Sequence, residues 1–150
     1  MKKLFSSIFL LFFLASVVST IVPIQAWGAT YYVSSSGSNT PPYDTWAKAA
    51  TAIQPAVNAT TSSGDIVEID GGTSGQTYNQ AVATAANGVT IQGSSLTNHH
   101  GLVTITNTAS TTSPLTVKHN NTIQNLKVLV SGNNPTSKEV LEYIEGHQFQ

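Results

Sequence analysis

The sequence predicts an all-β solenoid closed at one end by a short helix, and three observations carry that prediction. Short apolar strands recur in two interleaved series with a period of about 20–26 residues, the signature of chain turns that stack on one another. Charged residues make up only 9% of the 150, so the surface must be solvated by Ser, Thr, Asn and Gln. That habit suits polar β-turns better than helices, whose surfaces lean on Lys and Glu. An amphipathic run stands immediately before the first of the recurring strands, where an open stack needs a cover.

The chain begins with Lys2 and Lys3, then the apolar run LFSSIFLLFFLASVVSTIVPI, then small residues around Gln25-Ala26-Trp27-Gly28-Ala29. Charged, apolar and cleavable parts in that order form a secretory signal. Cleavage after Ala26, Gly28 or Ala29 is compatible with these small residues. The alternative is an uncleaved membrane anchor, since the run is near the ~20-residue spanning length. Pro23 and the small residues beyond it favour cleavage. There is no cysteine, which excludes a disulfide framework and a thiolate metal site. The formal charge is −1 and no arginine is present, so no basic footprint for nucleic acid exists.

Tyr31-Tyr32-Val33 reads as a first strand, followed by a Ser/Gly/Asn/Pro loop over 34–42. Trp46, Ala50, Ile53 and Val57 recur at helical spacing. Pro55 is tolerated only near a helix start, which places the helix start near Thr51 and leaves residues 44–50 as a separate turn. Asp65 to Asp70 alternates Val67 and Ile69 with Glu68 and Asp70, a strand with one buried face. Val89–Gln92 lies 22 residues after Val67 and Leu115–Lys118 lies 26 after Val89. The second series runs Ala81–Ala83, Val103–Thr106, Leu126–Val130. Asn and Gly punctuate the connections. An antiparallel sandwich of short strands is the competing reading; strands of three to five residues joined by irregular segments argue against it.

The order of these pieces resembles secreted proteins of the pectate-lyase-like superfamily. The resemblance lies in Tyr31-Tyr32-Val33-Ser34, the run Trp46 to Val57 with Thr51-Ala52-Ile53-Gln54-Pro55-Ala56-Val57, and Gly64-Asp65-Ile66-Val67-Glu68-Ile69. Val89-Thr90-Ile91-Gln92-Gly93 and Thr122-Ile123-Gln124-Asn125-Leu126 look like that family's coil motifs. A "GGTY" element is interrupted here, with Gly71-Gly72-Thr73 separated from Tyr78. The resemblance covers about residues 30–132 and implies a right-handed parallel β-helix with an N-terminal capping helix, in which Trp46, Ile53 and Val57 pack over the open end. It implies little about activity, because the scaffold carries lyases, hydrolases, epimerases, adhesins and non-catalytic surface proteins. The chain then divides into a signal peptide over 1–29, cap and β-helix coils over 30–134, and a short helical tail or truncated continuation over 135–150. In the tail, Thr136-Ser137-Lys138-Glu139 reads as a capping box ahead of an apolar stripe from Val140 to Ile144. Few coils are present for such an architecture, so a fragment or incomplete gene product is expected.

Glycoside hydrolysis needs two carboxylates flanking the bond, and calcium-assisted elimination needs several carboxylates and, in enzymes of this superfamily, commonly an arginine base. Between Gly71 and Lys138 there is no Asp or Glu. No catalytic residue, metal ligand or cofactor site is therefore assigned, calcium being reserved for a longer enzymatic form. Glu68 and Asp70, about 7 Å apart on one strand face, and His100 and His119, about one coil apart, are the residues that could contact a glycan or cation. His99 adjoins His100 and would point to the opposite face in a strand. The sequence thus leads to a non-catalytic module of an extracellular or cell-surface protein, structural or associated with polysaccharide or cell-surface glycan. It touches a membrane only through an uncleaved signal. The alternative is the N-terminal part of a carbohydrate-active enzyme, a polysaccharide lyase or glycoside hydrolase, whose catalytic coils lie elsewhere.

Overall fold

The computed structural model describes residues 27–109, 112–129, 140–144 and 147–148. They are largely β, with mostly parallel strands in three sheets and one α-helix. The strands are β1 (Thr30–Val33), β2 (Ile66–Ile69), β3 (Gln76–Asn79), β4 (Val82–Ala83), β5 (Thr90–Gly93) and β6 (Val103–Thr106). They continue as β7 (Leu115–Thr116), β8 (Thr122–Gln124), β9 (Leu126–Leu129), β10 (Val140–Ile144) and β11 (His147–Gln148). The helix α1 spans Ile53–Ala59, and a 3₁₀ turn covers Trp46–Lys48.

One sheet has the order β1-β2-β5-β8-β11, the second β10-β9-β6-β3, and the third is the pair β4-β7. From β2 to β9 the chain visits the three sheets in a fixed rotation, each strand lying parallel to its predecessor in the same sheet. Registers align like with like. Tyr31, Val67, Ile91 and Ile123 form one line, and Tyr78, Ile105 and Val128 another. Ile91, Ile105 and Ile123 are fully buried, so each line is an apolar column running through the interior. The alternating neighbours point outward, and the line Tyr32, Glu68, Gln92, Gln124 runs along the outer face of the five-stranded sheet.

The two apolar series of the sequence pair differently from their order in the chain. Leu115, expected to follow Val67 and Val89, instead pairs with Val82 in the third sheet. Its place in the five-stranded sheet is taken by β8, and the place expected for Ala81–Ala83 is taken by β3. Strand β3 carries a single large apolar residue, Tyr78, so its hydrophobic signal is weak. The helical stripe expected over 140–144 is strand β10, paired antiparallel with β9. A helix of that length is marginal alone, whereas the edge of β9 offers ready hydrogen-bond partners. The capping box at Thr136–Glu139 lies outside the described residues.

Helix α1 begins at Ile53, with Pro55 in its first turn, where a missing N–H costs nothing. Ile53, Ala56 and Val57 are fully buried and join the core beside Val33 and Val67. Trp46 is not among them: it sits half-exposed on the 3₁₀ turn, against the outer face of β1. The open edge of β1 is covered by the returning loop, through Ser34 N to Ala50 O, Ala50 N to Tyr32 O (both 2.9 Å) and Tyr32 N to Tyr43 O (2.8 Å). An edge paired this way cannot template aggregation.

Candidate functional site

The surface where chemistry-bearing side chains converge lies at the β1 end of the five-stranded sheet and extends along its outer face. Strand alternation turns Tyr32 outward, since Val33 is buried and Tyr31 packs on the core. The 3₁₀ turn is fixed by Thr45, whose hydroxyl accepts from Lys48 N, and it lays Trp46 against Tyr32 with ring centroids 4.6 Å apart and planes tilted by 54°. The His99 imidazole stacks on Trp46, at 4.0 Å and 8° from parallel. Tilted and stacked ring pairs contribute beyond the area they bury.

His99 reaches this position because two glycines let the turn after β5 lie on the turn after β2. A Cβ on Gly71 would fall 1.6 Å from Gly101 O, and one on Gly101 would fall 2.2 Å from Gly71 O. With the backbones that close, Gly71 N donates to His99 O (2.9 Å) and Gly101 N to Gly72 O (2.7 Å). His99 Nδ1 then lies 2.9 Å from Asp70 Oδ1. Nδ1 is shielded from solvent and has no other partner.

Asp70 is the hub. It receives the Ser34 hydroxyl at 2.7 Å on Oδ2 and Gly72 N at 2.6 Å on Oδ1. Burial opposes its charge, but the Ser34, Gly72 and His99 contacts together outweigh that and hold its carboxyl below the usual carboxylate range. Ser34 sits opposite Asp70 because Asp70 N donates to Val33 O (2.8 Å), continuing the register of β1 and β2. One strand further along, Ser94 N donates to Ile69 O (2.8 Å), and the Ser94 hydroxyl donates to Glu68 Oε1 at 2.7 Å. Gln124 Nε2 donates to Gln92 Oε1 at 2.6 Å. The outer face is therefore a continuous strip: aromatic at Tyr32 and Trp46, acidic at Glu68, whose carboxylate accepts from the buried Ser94 hydroxyl, and amide at Gln92 and Gln124.

Of the residues singled out in the sequence, Glu68 and Asp70 both flank this surface with different roles, Glu68 in the outer strip and Asp70 beneath His99. His100 lies outside it. It is exposed, with Nδ1 2.6 Å from Thr97 O, and the exposed His119 marks a turn where its carbonyl accepts from Gly88 N (3.1 Å). The histidine at this surface is His99, which the sequence marked only as the neighbour of His100. Among the described residues no group of three or more His, Asp or Glu converges to hold a metal ion, and no helix is long and apolar enough to cross a membrane.

No family model, no curated protein and no solved structure matches the chain.

Proposed function

We propose that the chain is a secreted module built as a right-handed parallel β-helix, which binds neutral glycan along the outer face of its five-stranded sheet and does not turn it over. The β-helix reading is supported by the fixed rotation of the chain through three sheets with parallel, in-register strands. Parallel crossovers are right-handed in nearly all proteins, which supports the hand. The observation that carries the binding role is the register line Tyr32–Glu68–Gln92–Gln124 with Trp46 at its head.

Sugars offer apolar C–H faces and rings of hydroxyls. Aromatic side chains meet the first with little entropy loss, and amides and carboxylates meet the second. Parallel strands spaced about 4.8 Å apart repeat such groups at the scale of successive sugar rings. Charge selects a neutral chain. With Lys2 and Lys3 removed, four lysines face seven acids, so a polyuronate would meet net repulsion. Turnover would need a second carboxylate across the bond from Glu68, and the strands beyond β2 as far as β9 contain none.

Retention on immobilised neutral polysaccharides tests this, run beside polyuronates with and without calcium and with product analysis. Retention on a neutral class, lost in W46A and in the double variant Q92A/Q124A, without new reducing ends or unsaturated products, is the expected result. Retention on none, or product formation, contradicts it, the latter favouring the N-terminal part of a carbohydrate-active enzyme.

A further inference from the structure

Asp65 is a carboxylate shut away from solvent, 3% exposed. Its partners are three backbone N–H groups: Ala29 on Oδ1 at 2.8 Å, and Thr61 and Ser62 on Oδ2 at 2.9 and 3.0 Å. Among the described residues its side chain pairs with no cation. A buried carboxylate is expensive without an opposite charge, and the one group positioned to become such a charge is the Ala29 nitrogen.

The segment around Ala29 divides sharply. Ala29 is held on both sides, its N–H by Asp65 and its carbonyl by Ile66 N at 2.8 Å. Removing it would cut β1 off from its first contact with β2. Trp27, by contrast, is 93% exposed. Between them Gly28 passes Gly64 so closely that a Cβ would fall 1.7 Å from Gly64 O.

Secretory signals are cut where small residues occupy the first and third positions before the scissile bond. A cut after Gly28 places Gly28 and Ala26 there. A cut after Ala26 places Ile24 third, and a cut after Ala29 places Trp27 third. The fold and the cleavage chemistry select the same bond.

We propose that the chain is cut between Gly28 and Ala29, and that the new α-ammonium of Ala29 pairs with Asp65. This rests on the secretory reading above. Hydrolysis by one water breaks the Gly28–Ala29 amide, Gly28 leaves with a carboxylate, and the Ala29 amine takes up a proton. A neutral amide donor 2.8 Å from a buried carboxylate becomes a charged one, and the space beside Gly64 O is vacated. Maturation thus supplies the counter-charge that the precursor lacks and strengthens the clasp between β1 and the turn over 61–65.

The test is expression of the full chain in a secreting host, with N-terminal sequencing and intact mass of the exported protein. A product beginning at Ala29 is expected. One beginning at Trp27 or Thr30 overturns the cleavage site while leaving secretion standing. A chain retained with residues 1–28 attached overturns the secretory reading and the proposal together. The pairing is then read on the mature chain by titrating its α-amino group by NMR. A pKa raised by about one unit or more above the ordinary 7.7–8.0 is expected, and an ordinary value overturns the pairing. Acetylation of that amine lowers the melting midpoint by about 3–6 °C in the native sequence and leaves D65N unchanged. An equal loss in both contradicts the pairing.

Discussion

The side chain of Gln54, on helix α1, pairs with the backbone of Ala83 as a neighbouring strand would, its Nε2 donating to Ala83 O at 3.0 Å and its Oε1 accepting from Ala83 N at 2.8 Å. The exchange is reciprocal. Gln80, at the end of β3, offers Oε1 to Ile53 N (3.0 Å) and Gln54 N (3.4 Å), two of the orphan donors at the start of the helix. The cap Ala52 has no side chain for that task. The helix and the chain running from the end of β3 into β4 therefore satisfy each other's open ends. Replacing Gln54 by Ala strips both bonds from the edge of β4 and should cost about 1–2 kcal/mol. Gln54→Glu keeps an acceptor but loses the donor, and should fall between. Urea midpoints of the three proteins check the order.

The interior columns should respond as a close-packed core. Ile91 lies between Val67 and Ile123 in register and is fully buried, so Ile91→Ala leaves a cavity with neighbours on both sides. A loss of about 2–5 kcal/mol is expected. Gln92→Ala, next along the same strand but on the outer face, should change stability by less than about 1 kcal/mol. Equal effects at 91 and 92 would mean that the faces of β5 are assigned wrongly.

Acid stability should follow Asp65 and Asp70. Burial resists the charge on Asp65, but the N–H groups of Ser62, Thr61 and Ala29 outweigh it and hold its carboxyl below the usual range, as Asp70 is held by its own partners. Both folded values lie below the unfolded value of about 3.9. The stabilisation is thus present above about pH 4 and is lost as pH falls through the depressed folded values. Thermal melts should be flat between about pH 5 and 7 and fall steeply below about pH 4. D65N should start lower at pH 7, by roughly 2–4 kcal/mol, and its deficit should shrink as the native protein is acidified.

The ring stack on Trp46 should hold the long loop after β1 in place. Removing the imidazole with His99→Ala leaves Asp70 its Ser34 and Gly72 partners but uncovers one side of the indole. A loss of about 0.5–1.5 kcal/mol is expected, localised as faster hydrogen exchange at Ser38, Asn39 and Thr40, whose amides bond to the 47–49 backbone. His100→Ala, exposed on the adjacent position, should leave that exchange unchanged.

Much of this architecture was legible in the sequence where the apolar period was strong. The strands around Val67, Ile91 and Ile105 and the helix starting just before Pro55 follow from alternation and from proline chemistry. What was not legible had other causes. Strand β3 hides because Thr77 and Asn79 flank a single Tyr78, and the pairing of Leu115 with Val82 depends on the long connection between β6 and β7, which no local pattern encodes. The Asp70–His99 contact depends on the meeting of Gly71 with Gly101, two residues that are far apart in the chain and read there only as turns. Trp46 followed a helical spacing with Ile53 and Val57, yet the non-helical backbone at Ala49 and Ala52 breaks that face, and Trp46 packs on Tyr32.

The central claim, that the strip from Trp46 along Tyr32, Glu68, Gln92 and Gln124 is a neutral-glycan surface, has a built-in reporter. Of the two tryptophans in the sequence, cleavage after Gly28 would leave Trp46 as the sole one. Its fluorescence in the secreted chain, titrated with neutral and uronic oligosaccharides, is the most direct measurement. A saturable change with a neutral oligosaccharide, absent with uronates and abolished in Q92A/Q124A, is the predicted result. Emission that no neutral oligosaccharide alters, or a change that survives loss of both glutamines, contradicts it.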